Sequence, residues 1–182
     1  MPNNILESVK DFNTITIFRH VFADMDAIGS QFGLKYYLES AYPDKKIYCL
    51  GNDCPVSQRN NVHMDVIDDE VVASSLAIVL DTSNAARIDD ERYQLAKKSI
   101  RIDHHVQVET ICDEEWIDDK ASATCELLAL YFQEKKVDIP VESALMLYLG
   151  LTADNIRFTT NNVRPATFDA AKYLFEQGVD VT

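Results

Sequence analysis

The chain has 182 residues, a net charge of −13 from 30 acidic and 17 basic residues, and a hydrophobic fraction of 47%. That length suits one domain, and that apolar fraction fills a core without disulfides or a structural metal. The acidic balance speaks against a protein that coats duplex nucleic acid, which needs a basic face, but admits a small anionic substrate whose site is neutralised by cations.

The first residues, "MPNNILESVKDFN", lack the basic and apolar regions of a signal peptide. No apolar run approaches the roughly 18–20 residues of a membrane helix, so the expected location is cytoplasmic, with no membrane partner. "TITIF", Thr14 to Phe18, is β-branched and apolar, as a buried parallel strand should be. A helix is expected from Ala27 to about Ser40, on Ile28, Phe32 and Tyr36, and "AYPD" ends it. "KIYCL", Lys46 to Leu50, reads as a second strand before a loop with Gly51, Asn52, Asp53 and Pro55. "SLAIVLD", Ser75 to Asp81, is a third strand, and "DDERYQLAKK" is expected to be a short surface helix. "SIRIDHH" gives a fourth strand running into Asp103, His104 and His105, and "EEWID" a fifth. Helices then follow over about Ser122–Gln133, Val141–Leu151 and Arg164–Gln177, with Gly178 where a helix C-cap belongs. Cys49, Cys54, Cys112 and Cys125 form no CxxC pair and read as reduced thiols packed as small apolar groups.

Strands alternating with helices imply an α/β fold: a doubly wound, mainly parallel five-stranded sheet with helices on both faces and a helical C-terminal segment. Ligands of such sheets bind beyond the carboxyl ends of the strands. The first strand leads to His20, the third ends at Asp81 and the fourth at Asp103-His104-His105. Three of the four histidines therefore fall at one edge; His63 reads as a loop residue. A lone HxxxD is usually surface loop, a lone strand-end Asp is often a helix cap, and a double His is often solvated. Together they read as a two-cation site, with ions about 3.5–4 Å apart. His20 and Asp24 could hold one ion, Asp26 and His104 the other, and Asp81 could bridge them. Mixed imidazole and carboxylate donors suit Mn²⁺, Fe²⁺ or Co²⁺ better than the all-oxygen set that favours Mg²⁺. Ser122 and Thr124 could donate to a phosphate at a helix start or serve as caps. Arg87 could contact substrate or pair with a surface acid; Arg157 and Arg164 are similar.

"HVFADMDAIGS", "VLDTSNAARI", "IDHH" and "GLTADNIRF" together resemble the four signature motifs of the DHH phosphoesterase superfamily. The similarity is greatest to its oligoribonucleases of very short RNA, which also remove a phosphate from 3′-phosphoadenosine 5′-phosphate. The resemblance implies metal ligation by His20, Asp24, Asp26, Asp81, His104 and Asp154, with two divalent cations, Mn²⁺ first among them. It implies that His105 faces the substrate phosphate and that Asp103 orients its neighbours. Asp154 enters through the resemblance alone, since it follows a helix. The chain departs from the family's Pro-Asp-Gly-Asp with Ala23-Asp24-Met25-Asp26, and from Thr-Asp-Thr with "TADN".

The implied reaction is hydrolysis of a phosphoester in short RNA or a nucleotide. Exopolyphosphatase or pyrophosphatase and cyclic-dinucleotide phosphodiesterase are the alternatives within the superfamily, and a non-catalytic nucleotide-binding module is the alternative of another class. Residues 1–182 are expected to form the catalytic domain, cut before a linker and a second, substrate-binding domain; a homodimer is left open.

Overall fold

The structure, a computed structural model, describes residues 5–180. Its strands are β1 (Thr14–Phe18), β2 (Lys46–Cys49), β3 (Leu76–Leu80), β4 (Lys98–Asp103) and β5 (Glu114–Ile117). They pair in parallel throughout, in the order β2-β1-β3-β4-β5. Ile15 stands opposite both Ile47 and Leu76, and Ile78 opposite Ile100. The helices are α1 (Ile5–Lys10), α2 (Met25–Ala41), α3 (Pro55–Arg59), α4 (Asp69–Ala73), α5 (Thr124–Lys135), α6 (Val141–Asp154) and α7 (Pro165–Glu176).

Side chains alternate across a strand, so each buried strand feeds two cores. Ile15, Ile17, Leu76, Ile78, Ile100 and Ile102 face the larger core, which α1, α2, α5, α6 and α7 complete. Phe18, Ala77 and Val79 face a smaller core, closed by Val72 of α4 and by Tyr93. Thr16 is also fully buried, its hydroxyl paired with that of Ser75 at 2.7 Å. No helix among the described residues is long and apolar enough to cross a membrane.

Four local readings shift. α2 begins at Met25 because the Asp24 carboxylate accepts the Ala27 N–H at 3.0 Å and so caps the helix two residues early. The stretch read as a surface helix forms a 3₁₀ turn, Glu91–Leu95. The Asp90 carboxylate accepts the Arg92 N–H at 3.0 Å, a local side-chain bond that competes with α-helical pairing. The short helices α1, α3 and α4 were not expected; five or six residues are too few to show a period. α6 runs three residues past Leu151, to Asp154.

Close approach of α2 and α6 fixes one side of the site. A Cβ on Gly29 would lie 2.5 Å from the Met146 carbonyl, and one on Gly33 2.7 Å from the Leu147 side chain. A Cβ on Gly150 would sit 3.0 Å from the Met25 carbonyl, besides striking the Cys125 sulfur. A Cβ at Gly29 would strike backbone, and one at Gly33 or Gly150 would displace a packed side chain, so the backbones that carry Asp26 and Asp154 come together.

Candidate metal centre

The strand order reverses between β1 and β3, which opens a crevice at their carboxyl ends. His20 lies two residues beyond β1, Asp81 directly follows β3, and Asp103 ends β4. Asp81 has φ +56°, a left-handed conformation that aspartate tolerates better than most residues. Its N–H donates to the Ile102 carbonyl at 3.1 Å, which anchors the turn.

His20 Nε2 lies 3.4 Å from Asp81 Oδ2 and 3.8 Å from Asp24 Oδ2. His104 Nε2 lies 3.4 Å from Asp81 Oδ1, 3.6 Å from Asp154 Oδ2 and 3.8 Å from Asp26 Oδ2. Three triads each bring their donor atoms within 4.8 Å of one another: His20-Asp24-Asp81, Asp26-His104-Asp154 and Asp81-His104-His105. Asp81 offers one oxygen toward each of the first two groups.

Neighbours pre-set the donors. His20 Nδ1 donates to the Val21 carbonyl at 2.6 Å and His104 Nδ1 to that of Ala121 at 3.3 Å, so both rings turn Nε2 inward. The first amides of α5, from Thr124 at 2.6 Å and Cys125 at 2.9 Å, donate to the two oxygens of Asp26. Asp26 and Asp81 are each only 1% exposed, so their charge has little water to stabilise it.

The electrostatics follow. Burial, then the charge of Asp81, pushes the Asp26 carboxyl well above its usual pKa, and burial raises Asp154 too. Burial also opposes the Asp81 carboxylate, but His104 and His20 outweigh it and hold its pKa well below the usual range. Burial disfavours protonated imidazoles, yet Asp24 and Asp81 lift His20 to about 10, and Asp81, Asp26 and Asp154 do the same for His104. The four carboxylates thus impose a field that calls for positive charge at the Nε2 atoms. Imidazole and carboxylate donors in these triads fit divalent cations.

His105 enters only the third triad, through Nδ1, 3.7 Å from Asp81 Oδ1. Its Nδ1 donates to Asp103 Oδ1 at 2.7 Å, and the ring is 37% exposed, so Nε2 is left for another partner. Asp103 is fully buried, and its other oxygen accepts from Arg101 Nη2 at 2.6 Å. Burial works against the Asp103 carboxylate, but His105 and Arg101 more than offset it and lower its pKa. Arg101, fully buried as well, also donates to the Glu109 carbonyl at 3.1 Å. Sequence reasoning missed Arg101; a charged residue in mid-strand, two before Asp103 and so on the same face, was the available signal.

Other candidates fare differently. Ser122 and Thr124 are fully buried, with hydroxyls committed to Glu126 at 2.7 Å and Asp81 at 3.2 Å, so they point to the protein's own carboxylates. Arg87 is exposed at the rim, with Nη2 3.4 Å from His20 Nδ1. Arg164 is held by Asp118 and Glu126 at 2.7 and 2.9 Å. Arg157 lies in a left-handed turn, where Ile156, Arg157 and Phe158 have φ of +48°, +54° and +67°. Such residues cost about 1–2 kcal/mol each. Asn155 secures the turn, accepting the Phe158 N–H at 2.8 Å while its amide donates to Ser122. His63 pairs with Asp53 on the surface.

Residues 14–151 match the model of the DHH family, N-terminal domain. The chain is 33% identical over 186 residues to an uncharacterized protein of Mycoplasma pneumoniae, covering 97% of the chain and 55% of that protein. It is 34% identical over 179 residues to the bifunctional oligoribonuclease and PAP phosphatase NrnA of Bacillus subtilis, covering 97% and 57%. A solved exopolyphosphatase-related protein from Bacteroides fragilis superposes with a TM-score of 0.81 at 26% identity, over 96% of the chain and 55% of its own. The chain spans about half the length of these relatives. With its Asp103-His104-His105 at the end of β4 and its match from Thr14 to Leu151, the chain belongs to the DHH family.

Proposed function

We propose that this chain is the catalytic part of a dinuclear-metal phosphoesterase that hydrolyses short oligoribonucleotides and 3′-phosphoadenosine 5′-phosphate. The observation that carries the reading is the convergence of the His20-Asp24-Asp81 and Asp26-His104-Asp154 triads, with one oxygen of Asp81 facing each. Similarity to the Bacillus subtilis NrnA over 97% of the chain supports the substrate class. The first triad would hold one cation, and the second, with Asp81, the other; this donor mix suits Mn²⁺, Fe²⁺ or Co²⁺ better than Mg²⁺, and Mn²⁺ is the cation proposed. When bound, such cations supply charge neutralisation for a phosphoryl group and an acidified water.

The chain's own residues do the rest. Asp81 is held at the shared position by the Thr124 hydroxyl and by its anchored turn. The α5 amides fix Asp26. His105, oriented by Asp103, presents Nε2 to a phosphoryl oxygen; as an imidazolium, with an N–H on each ring nitrogen, it donates there and stabilises charge that grows in the transition state. Arg87, exposed beside His20 with Nη2 3.4 Å from Nδ1, is the candidate contact for a second phosphate oxygen.

The test is a Mn²⁺-dependent assay of the chain on a diribonucleotide, 3′-phosphoadenosine 5′-phosphate, pyrophosphate and a cyclic dinucleotide. Turnover of the first two is expected, with loss of all turnover in Asp81→Ala. Preference for pyrophosphate, or activity that survives Asp81→Ala, contradicts the reading.

A further inference from the structure

The three residues that join His20 to Asp24 form one wall of a second feature. Val21, Phe22 and Ala23 line an open cavity of about 610 Å³, with Cys54, Pro55 and Val56 opposite. Phe22 has φ +53° and is 95% exposed. Either property is costly for a phenylalanine: a bulky side chain in the left-handed region is strained, and a bare aromatic ring gains nothing from burial. A local φ of this kind is better served by Asn or Gly, so the ring is not there for the turn. The polar side of the cavity carries Asn52 and Asp53. Its floor is stiff: Arg19 is 1% exposed and tied to Asp89, which in turn holds the Asn52 amides at 2.7 and 2.8 Å. A Cβ on Gly51, at φ +131°, would come 2.8 Å from Asp89, so only glycine lets the loop that presents Asn52 close on Asp89.

We propose that this cavity is a nucleobase subsite, with Phe22 as the stacking platform for the nucleoside next to the phosphate under attack. The proposal rests on the phosphoesterase reading and deepens it. An exposed aromatic beside an apolar wall stacks any base, and the Asn52 side-chain carbonyl can accept a donor on its edge, while Asp53 is held by His63 and the Met64 N–H. Pyrophosphate and polyphosphate have no part that an apolar cavity could take up. The subsite therefore selects nucleotides over inorganic phosphoanhydrides. Its position, on the segment between two candidate ligands, couples base recognition to placement of the phosphate.

Cys54 makes the cavity directly observable, because it lines the wall while Cys49, Cys112 and Cys125 are buried. In Mn²⁺ buffer, AMP should slow alkylation of Cys54 by a maleimide, and ribose 5-phosphate at the same concentration should not. Phe22→Ala should weaken the AMP protection about tenfold, within the range for loss of one base–aromatic stack, and Phe22→Trp should retain it. Phe22 is so exposed that these variants keep the fold, and Phe22→Asn should melt at a higher temperature than the wild type while losing protection. Equal protection by ribose 5-phosphate, no protection by AMP, or protection unchanged in Phe22→Ala would each overturn the proposal. The readout needs no turnover, so failure of the phosphoesterase reading shows separately, as an inactive chain in the assay with Asp81→Ala as its control.

Discussion

Buried carboxylates without cations repel one another, and the candidate centre concentrates that conflict at Asp26 and Asp81, each about 1% exposed. His105 lies beside the donors, 3.7 Å from Asp81 Oδ1, but its Nδ1 is taken by Asp103 at 2.7 Å. His105→Ala should therefore lower kcat on a diribonucleotide by about 10²–10³-fold, the usual effect of one lost oxyanion donor, with Mn²⁺ affinity changed far less. Parallel loss of metal and turnover in a Mn²⁺ titration would make it a ligand instead. His20, Asp81 and His104 were legible in the sequence because each follows an apolar strand, and strand ends of a parallel sheet share an edge. Asp154 was not, because it closes α6; only the motif resemblance singled it out. Ser122 and Thr124 read as donors to a phosphate or as helix caps; in the structure their hydroxyls bond Glu126 and Asp81.

Among the elements, the α2–α6 contact has the most to lose. Gly150→Ala forces a methyl group against Cys125 and the α2 backbone. It should cost about 1–3 kcal/mol, as overpacking does, and weaken Mn²⁺ binding by moving Asp154 away from Asp26. Urea unfolding and metal titration of the variant check both; an unchanged affinity would mean that α6 does not position the site. The loops after β1 and β2 are joined by Asp89, whose carboxylate bonds Arg19 and Asn52. Burial opposes that carboxylate, but the Asn52 N–H groups and Arg19 outweigh it and lower its pKa. A depressed folded pKa stabilises the fold above the unfolded value of about 3.9, and the gain is lost as pH falls through the folded value. Wild type should thus exceed Asp89→Asn in urea stability at pH 6, and the gap should close as pH falls below about 4. Strands and long helices were readable from period and β-branching. The 3₁₀ turn at Glu91–Leu95 and the short α1, α3 and α4 were not, because five or six residues are too few to show a period.

At the scale of the molecule, the order β2-β1-β3-β4-β5 gives an acidic chain of net charge −13 one crevice in which imidazoles and carboxylates from β1, β3, β4, α2 and α6 meet. A phosphate would be repelled there by the bare carboxylates, and two bound cations would reverse the local sign. The central claim is therefore a pair of cations sharing Asp81. Anomalous scattering at the manganese edge, from crystals of the chain grown with Mn²⁺, tests it most directly. The account predicts two peaks, one among His20, Asp24 and Asp81 and one among Asp26, His104 and Asp154, with Asp81 touching both. A single peak, or manganese bound away from Asp81, would contradict it.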